Sequence, residues 1–206
     1  MMIFEKPCVC YRILSEKEVI EVDYHQQANI IIKELGKVFD RIDLFEVECF
    51  VSEIMKAKKI ILIGVGREGL STKAFAMRLM HLGIESHWIW DETTPAIGEG
   101  DLLIATSGCG EIEHIHYVVE KAKKRGAKVL VVTGDPEKKT SSLADVRLFL
   151  PAHVYLGTAD VVPSTQLMGN LFEQSLLILF DMIIMDLMSR LGTTKEEMES
   201  RHRNLE

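Results

Sequence analysis

The apolar positions along this chain change rhythm near residue 58. Before it, Ile31, Leu35, Val38, Ile42 and Phe45 recur at spacings of three and four, and Val47, Phe50, Val51, Ile54 and Met55 continue the stripe. Between 15 and 57 there is no proline and one glycine, Gly36. That is the period of an amphipathic helix, so the segment predicts one or two helices leading into the rest of the chain. Residues 1–14 have no clear period and read as an ordered arm or a frayed end.

After residue 58 the apolar residues gather into short runs of strand length, at 60–65, 87–90, 102–106, 129–133 and 146–150. Helical patterns at 70–82, 112–124 and 141–144 lie between several of them. Alternation of this kind predicts an α/β fold, a mainly parallel sheet with helices on both faces. One link is awkward: only "DETTPAIGEG", 91–100, joins the second run to the third, short for a parallel crossover, and Pro95 and Gly98 favour a loop there. The stretch 171–191, "LFEQSLLILFDMIIMDLMSRL", approaches membrane length, but Glu173, Gln174, Asp181 and Asp186 argue for a long buried helix instead. No repeat or low-complexity linker divides the chain. The expectation is one domain over 1–206, with a helical lead to residue 57 and an α/β core from 58 that ends in a long helix and a tail.

Composition narrows the partners. The net charge of −7 over 206 residues disfavours nucleic acid and acidic membrane surfaces, though a local loop can still hold an anion. Four cysteines, Cys8, Cys10, Cys49 and Cys109, follow no apolar leader, since Glu5 and Lys6 interrupt it; a reduced, cytoplasmic setting is expected. Cys8 and Cys10 lack the spacing and the second pair of a zinc site. His114 and His116, two apart on one helix, face different ways and make poor metal partners.

Two glycine loops carry the chemistry. In "GVGREG", Gly64, Gly66 and Gly69 follow the first strand and open a helix; glycines let a ligand approach the backbone, and the helix presents free N–H groups to an anion. This pattern suits a dinucleotide, with Asp91 as the ribose acid, a sugar phosphate, or a plain tight turn. The second loop, Ser107, Gly108, Cys109 and Gly110, follows the third strand and repeats the logic. Ser107 can donate its hydroxyl, and the amides of Gly108 to Glu111 can form an anion nest. Two such loops converging on one compact ligand favour a small carbohydrate over an extended dinucleotide. Arg67, inside the first loop, suits a phosphate or a sugar hydroxyl.

The two loops, with "FAMRLMHLG", "TTPAIGEGDLLIATSGCGE", "MGNLFEQSLLILFD" and "RHRNLE", resemble the sugar isomerase (SIS) domain family over residues 60–206. The resemblance implies a three-layer α/β/α fold with a five-stranded parallel sheet. It implies a homo-oligomer, a dimer or more commonly a tetramer, with active sites shared between subunits. The reaction it implies is aldose–ketose isomerisation of a phosphosugar through a cis-enediol, with no metal and no redox cofactor. Glu173 would be the base and His202 its partner, with Gly66, Arg67, Glu68, Ser107, Gly108, Cys109, Gly110 and Glu111 holding the substrate. One carboxylate can take a proton from one carbon and return it to the next, which suits Glu173 to that role.

The chain departs from the family pattern on the ligand side. Glu68 stands where a serine is usual, Cys109 and Ile112 replace a serine and a threonine, and Asn170 replaces a hydroxyl residue. Hydroxyls that would bind a phosphate are thereby lost, each bond worth roughly 1.5–3 kcal/mol. A Glu68 carboxylate about 4 Å from a phosphate would repel it by about 4 kcal/mol at an effective dielectric of 20. Three outcomes are open: Glu68 turns away from the anion, the ligand is a different sugar, or the protein binds a sugar without turning it over.

Overall fold

A computed structural model describes residues 23–205. Helices α1 (Tyr24–Phe39) and α2 (Leu44–Lys56) lead into strand β1 (Ile60–Ile63), helix α3 (Gly66–Leu82), strands β2 (Ser86–Trp88) and β3 (Leu102–Thr106), helix α4 (Glu113–Lys124), strands β4 (Lys128–Thr133) and β5 (Val146–Phe149), and helices α5 (Asn170–Leu191) and α6 (Lys195–Ser200). The segment 141–144 closes as a single 3-10 turn, Ser141–Leu143. Cys8, Cys10 and the segment 1–22 lie outside the described residues.

The five strands are all parallel, in the order β2-β1-β3-β4-β5. The period-two alternation of a strand splits the core between the two faces. Ile60 and Leu62 of β1 join a cluster with Phe50, Phe75, Leu176 and Phe180, under α2, α3 and α5. Ile61 and Ile63 join the other, with Leu103, Ile115 and Val119, under α4. The rings of Phe75 and Phe180 stack at 4.1 Å and tie α3 to α5.

Local chemistry sets the element ends. Asp23 and Asp43 cap α1 and α2 by accepting the N–H groups of Gln26 (3.0 Å) and Phe45 (2.8 Å). Gly83 and Gly192, with φ +89° and +66°, end α3 and α5 in the left-handed turn that glycine favours. Helix α6, which the apolar pattern did not predict, has no fully buried residue, rests Met198 against the core, and starts from a Thr194–Glu197 capping box. The buried Glu34 on α1 accepts from the backbone and hydroxyl of Thr165 (2.9 and 3.1 Å), from Ser164 (2.7 Å) and from Gln166 (3.0 Å). It clamps the first helix to the segment that enters α5.

The short link between β2 and β3 carries no helix. The chain turns at Trp88–Asp91 and Asp91–Thr94, Thr94 donates to the Trp88 carbonyl at 2.7 Å, and Ile89 and Ile97 pack on the α4 side of the sheet. It thereby crosses over β1 without an element of its own. At the opposite edge, the outward N–H of Phe149 on β5 is taken by Glu46 of α2 at 2.7 Å.

Candidate functional site

Because β1 lies between β2 and β3, the direction in which successive strands are added to the sheet reverses at the β1–β3 boundary. That is where open parallel sheets bind ligands. The pairing of Ile63 with Ala105 sets the two glycine loops side by side at the carboxyl ends of these strands. In the first loop Gly64 and Gly69 serve close packing. A Cβ on Gly64 would lie 2.4 Å from Thr106 Oγ1, and one on Gly69 would lie 2.8 Å from the Gly64 carbonyl oxygen. Gly66 supplies the turn itself, with φ +59°. Asp91 points away to Lys73, at 3.7 Å, so the residue proposed as a ribose acid sits in a surface ion pair.

Between the second loop, the start of α5 and the segment after β5 lies a cavity of about 280 Å³. Glu68 and Glu173 provide its carboxyls, Gly108 and Cys109 its loop wall, and Ile112, Val154, Leu156 and Phe172 its apolar wall. The wall from Val154 to Leu156 was missing from the sequence reading. Its one local peculiarity, Leu156 in the left-handed region at φ +68°, leaves no signature in composition.

Glu68 does not turn away from the anion site. Its carboxyl is buried and its Oε2 accepts the Gly108 N–H at 2.8 Å, so it occupies an amide of the predicted nest. Burial, against the pull of that hydrogen bond and with the like charge of Glu173, pushes its pKa up to about 8. A Cβ on Gly108 would crowd Val154 at 3.2 Å and Glu68 Oε2 at 3.3 Å, so both side chains would have to give way.

Glu173, in the first turn of α5, opens onto the same cavity. Arg67 reaches across from α3 to pair with it at 3.0 Å and also bonds the Asn170 side chain. Arg67 was expected on a phosphate or a sugar hydroxyl; here it engages the candidate base. Other expected contacts fall elsewhere. Ser107 is fully buried outside the cavity wall, and its Oγ has no hydrogen-bond partner among the described residues. Gly110, at φ +70°, packs against Lys138, which also pairs with Glu111 at 3.5 Å.

Within one chain, His202 does not meet Glu173. Its ring lies over His81, centroids 5.2 Å apart, at the C-terminal end of α3, while Arg67 and Glu68 sit at the other end. His81 lies thirteen steps along α3 from Glu68, a rise of about 20 Å. Among the described residues no group of three or more His, Cys, Asp or Glu side chains stands together to hold a metal, and no helix is long and apolar enough to cross a membrane.

The pattern of the SIS domain matches residues 53–173. The chain is 36% identical over 176 residues to the 3-hexulose-6-phosphate isomerase of Bacillus subtilis, covering 85% of this chain and 95% of that one. It is 32% identical over 189 residues to the enzyme of the same name from Mycobacterium gastri, covering 92% and 94%. A crystal structure from Methanococcus jannaschii, described as inferring a molecular function of 3-hexulose-6-phosphate isomerase, superposes with a TM-score of 0.76 at 32% identity, over 88% of this chain and 99% of that one. On the matched domain, these relatives and the shared parallel sheet, the chain belongs to the SIS domain family.

Proposed function

We propose that this protein is a sugar-phosphate isomerase that moves the carbonyl of a 3-hexulose 6-phosphate by one carbon, the chemistry shared by aldose–ketose isomerases. The observation that carries this reading is the position of Glu173: a carboxylate held by Arg67 at 3.0 Å, opening onto the cavity beside the second glycine loop. Relatives named for this reaction at 36% and 32% identity support the substrate class.

One carboxylate carries the carbon-bound proton. Glu173 takes the proton from C2 of the ketose, and the C–H electrons form the C2=C3 bond of a cis-enediol as the C3 oxygen takes a proton from His202 of a second copy or from solvent. Glu173 returns its proton to C3, the C2 hydroxyl gives its proton back to that same donor, and C2 becomes the carbonyl. No electrons enter or leave. Arg67 pairs with the Glu173 carboxylate; the Gly108 N–H is taken by Glu68 and the Gly110 N–H by the Ser107 carbonyl, so the Cys109 and Glu111 amides with the N-terminus of α4 are offered to the phosphate. His202 assists the transfer between oxygens from a second copy of the chain, because its ring lies over His81, at the end of α3 opposite the Arg67 that pairs with Glu173. The exposed apolar side chains of Leu70, Met77 and Met80 on α3, and of Met182 and Met185 on α5, suit contact between copies in a homo-oligomer. The reading is of a cytoplasmic enzyme, and Cys49 and Cys109 are free thiols.

The test is Glu173→Gln. It keeps the shape and removes the base, so turnover of a 3-hexulose 6-phosphate, followed as formation of the 2-ketose, falls by about 10²–10⁴-fold while substrate binding persists. Unchanged turnover overturns the mechanism. A second reading, sugar binding without turnover, is favoured by Glu68 sitting on the Gly108 amide; it predicts that the unaltered protein binds phosphosugars and converts none.

A further inference from the structure

Glu68 is a carboxyl held inside a cavity that has to receive an anion. Its Oε2 keeps the Gly108 N–H at 2.8 Å, and the residue is only 9% exposed. The charged and titratable groups around it come from each packed element. Arg67, on its own helix, is engaged by Glu173 and Asn170. Helix α5 contributes Glu173, a like charge; the second glycine loop contributes Cys109; the segment after β5 contributes Tyr155. Among the described residues none of these supplies a positive charge to Glu68, and a buried carboxylate without one is costly.

We propose that Glu68 is a ligand-binding residue of the phosphate cradle and accepts the phosphosugar as the neutral acid, one oxygen keeping the Gly108 N–H and the other donating its proton to a phosphoryl oxygen. This rests on the isomerase reading above and adds the group that makes the altered loop compatible with a phosphate. As the neutral acid, Glu68 supplies the donor that a serine hydroxyl would supply. As the carboxylate, it presents only acceptors and a negative charge. Burial already holds its pKa at about 8, so the donor form prevails at neutral pH and is lost as pH rises through that value.

The experiment is calorimetric titration of the whole protein with fructose 6-phosphate and with free fructose from about pH 6.5 to about pH 9.5, where the phosphate ester stays mainly dianionic, and with inorganic phosphate from about pH 8 upward, where it too is mainly the dianion. For the unaltered protein, affinity for fructose 6-phosphate is expected to hold up to about pH 7.5. Above about pH 8 it weakens toward tenfold per unit, with close to one proton taken up on binding as read from buffers of different ionisation enthalpy. Free fructose shows no such loss. Glu68→Gln, a neutral donor at every pH, removes the alkaline loss. Overturning results are a flat profile to pH 9.5, the same loss in Glu68→Gln, or binding by Glu68→Ser where the unaltered protein binds nothing, which would make Glu68 a barrier to the anion. Turnover with a flat binding profile removes the role of Glu68 and leaves the isomerase reading intact. Failure of the unaltered protein and both variants to bind any phosphate-bearing probe overturns both. If Glu68→Gln does not fold, the proton uptake of the unaltered protein still decides.

Discussion

At the scale of the residue, Glu68 couples the site to the stability of the fold. An unfolded glutamate gives up its proton near 4.5, whereas the buried one holds it to about 8. Below about pH 4.5 the group is neutral in both states and adds no penalty; between the two values the folded state binds the extra proton, so stability declines as pH rises and the full cost is reached above about 8. That gap corresponds to at most about 5 kcal/mol. Glu68→Gln is therefore expected to raise the melting temperature of the ligand-free protein at about pH 9, with the gain shrinking to nothing near pH 4.5; thermal denaturation followed by circular dichroism across that range checks it. The chemistry of this residue was legible in the sequence, where a carboxylate stands in an anion-binding loop. Its direction was not, because a side chain's rotamer depends on neighbours far along the chain, here Gly108, Val154 and Phe172. Ser107 shows the same limit: a hydroxyl in a glycine loop reads as a ligand donor, and here it is fully buried with its Oγ unpartnered among the described residues, a placement no local pattern announces.

At the scale of elements, periodicity predicted the five strands and the buried helix from Asn170, because strand and helix periods are local properties of the sequence. The contacts that fix one element to another left no such trace. The Glu34 clamp joins α1 to residues about 130 positions away, and no pattern within α1 distinguishes that carboxylate from a solvated one. Burial pushes the Glu34 pKa up, but the Thr165 backbone N–H with the Ser164, Gln166 and Thr165 side chains outweighs it and holds the group below its ordinary value. Its contribution is present at neutral pH and is lost on acidification below the ordinary carboxylate range. Glu34→Ala leaves several buried donors without an acceptor and is expected to cost about 2–3 kcal/mol in urea denaturation at neutral pH, and less in acid. The cost should localise to α1 and the 164–166 segment in hydrogen exchange. The tail helix α6 escaped the sequence reading because it has no buried residue and therefore no apolar period.

At the scale of the whole molecule, the separation of Glu173 from His202 makes the proposed site depend on more than one copy. Glu173→Gln and His202→Ala proteins are each expected to be nearly inactive. Mixed and allowed to exchange subunits in equal amounts, they should recover about a quarter of the unaltered activity if each site takes one residue from each of two copies. No recovery, with subunit exchange verified by mass, would place both residues in sites of a single copy or remove His202 from the reaction. How copies meet is limited by the sheet's margins. One margin is β2, three residues long, and at the other Glu46 takes up the Phe149 N–H that would otherwise greet an incoming strand. Neither end offers a long row of open backbone groups, so strand-to-strand growth of the kind that seeds fibrils is discouraged from both sides. Assembly is thereby channelled to side-chain surfaces, where the number of copies can be finite, and the integrity of α2 becomes a guard against runaway association.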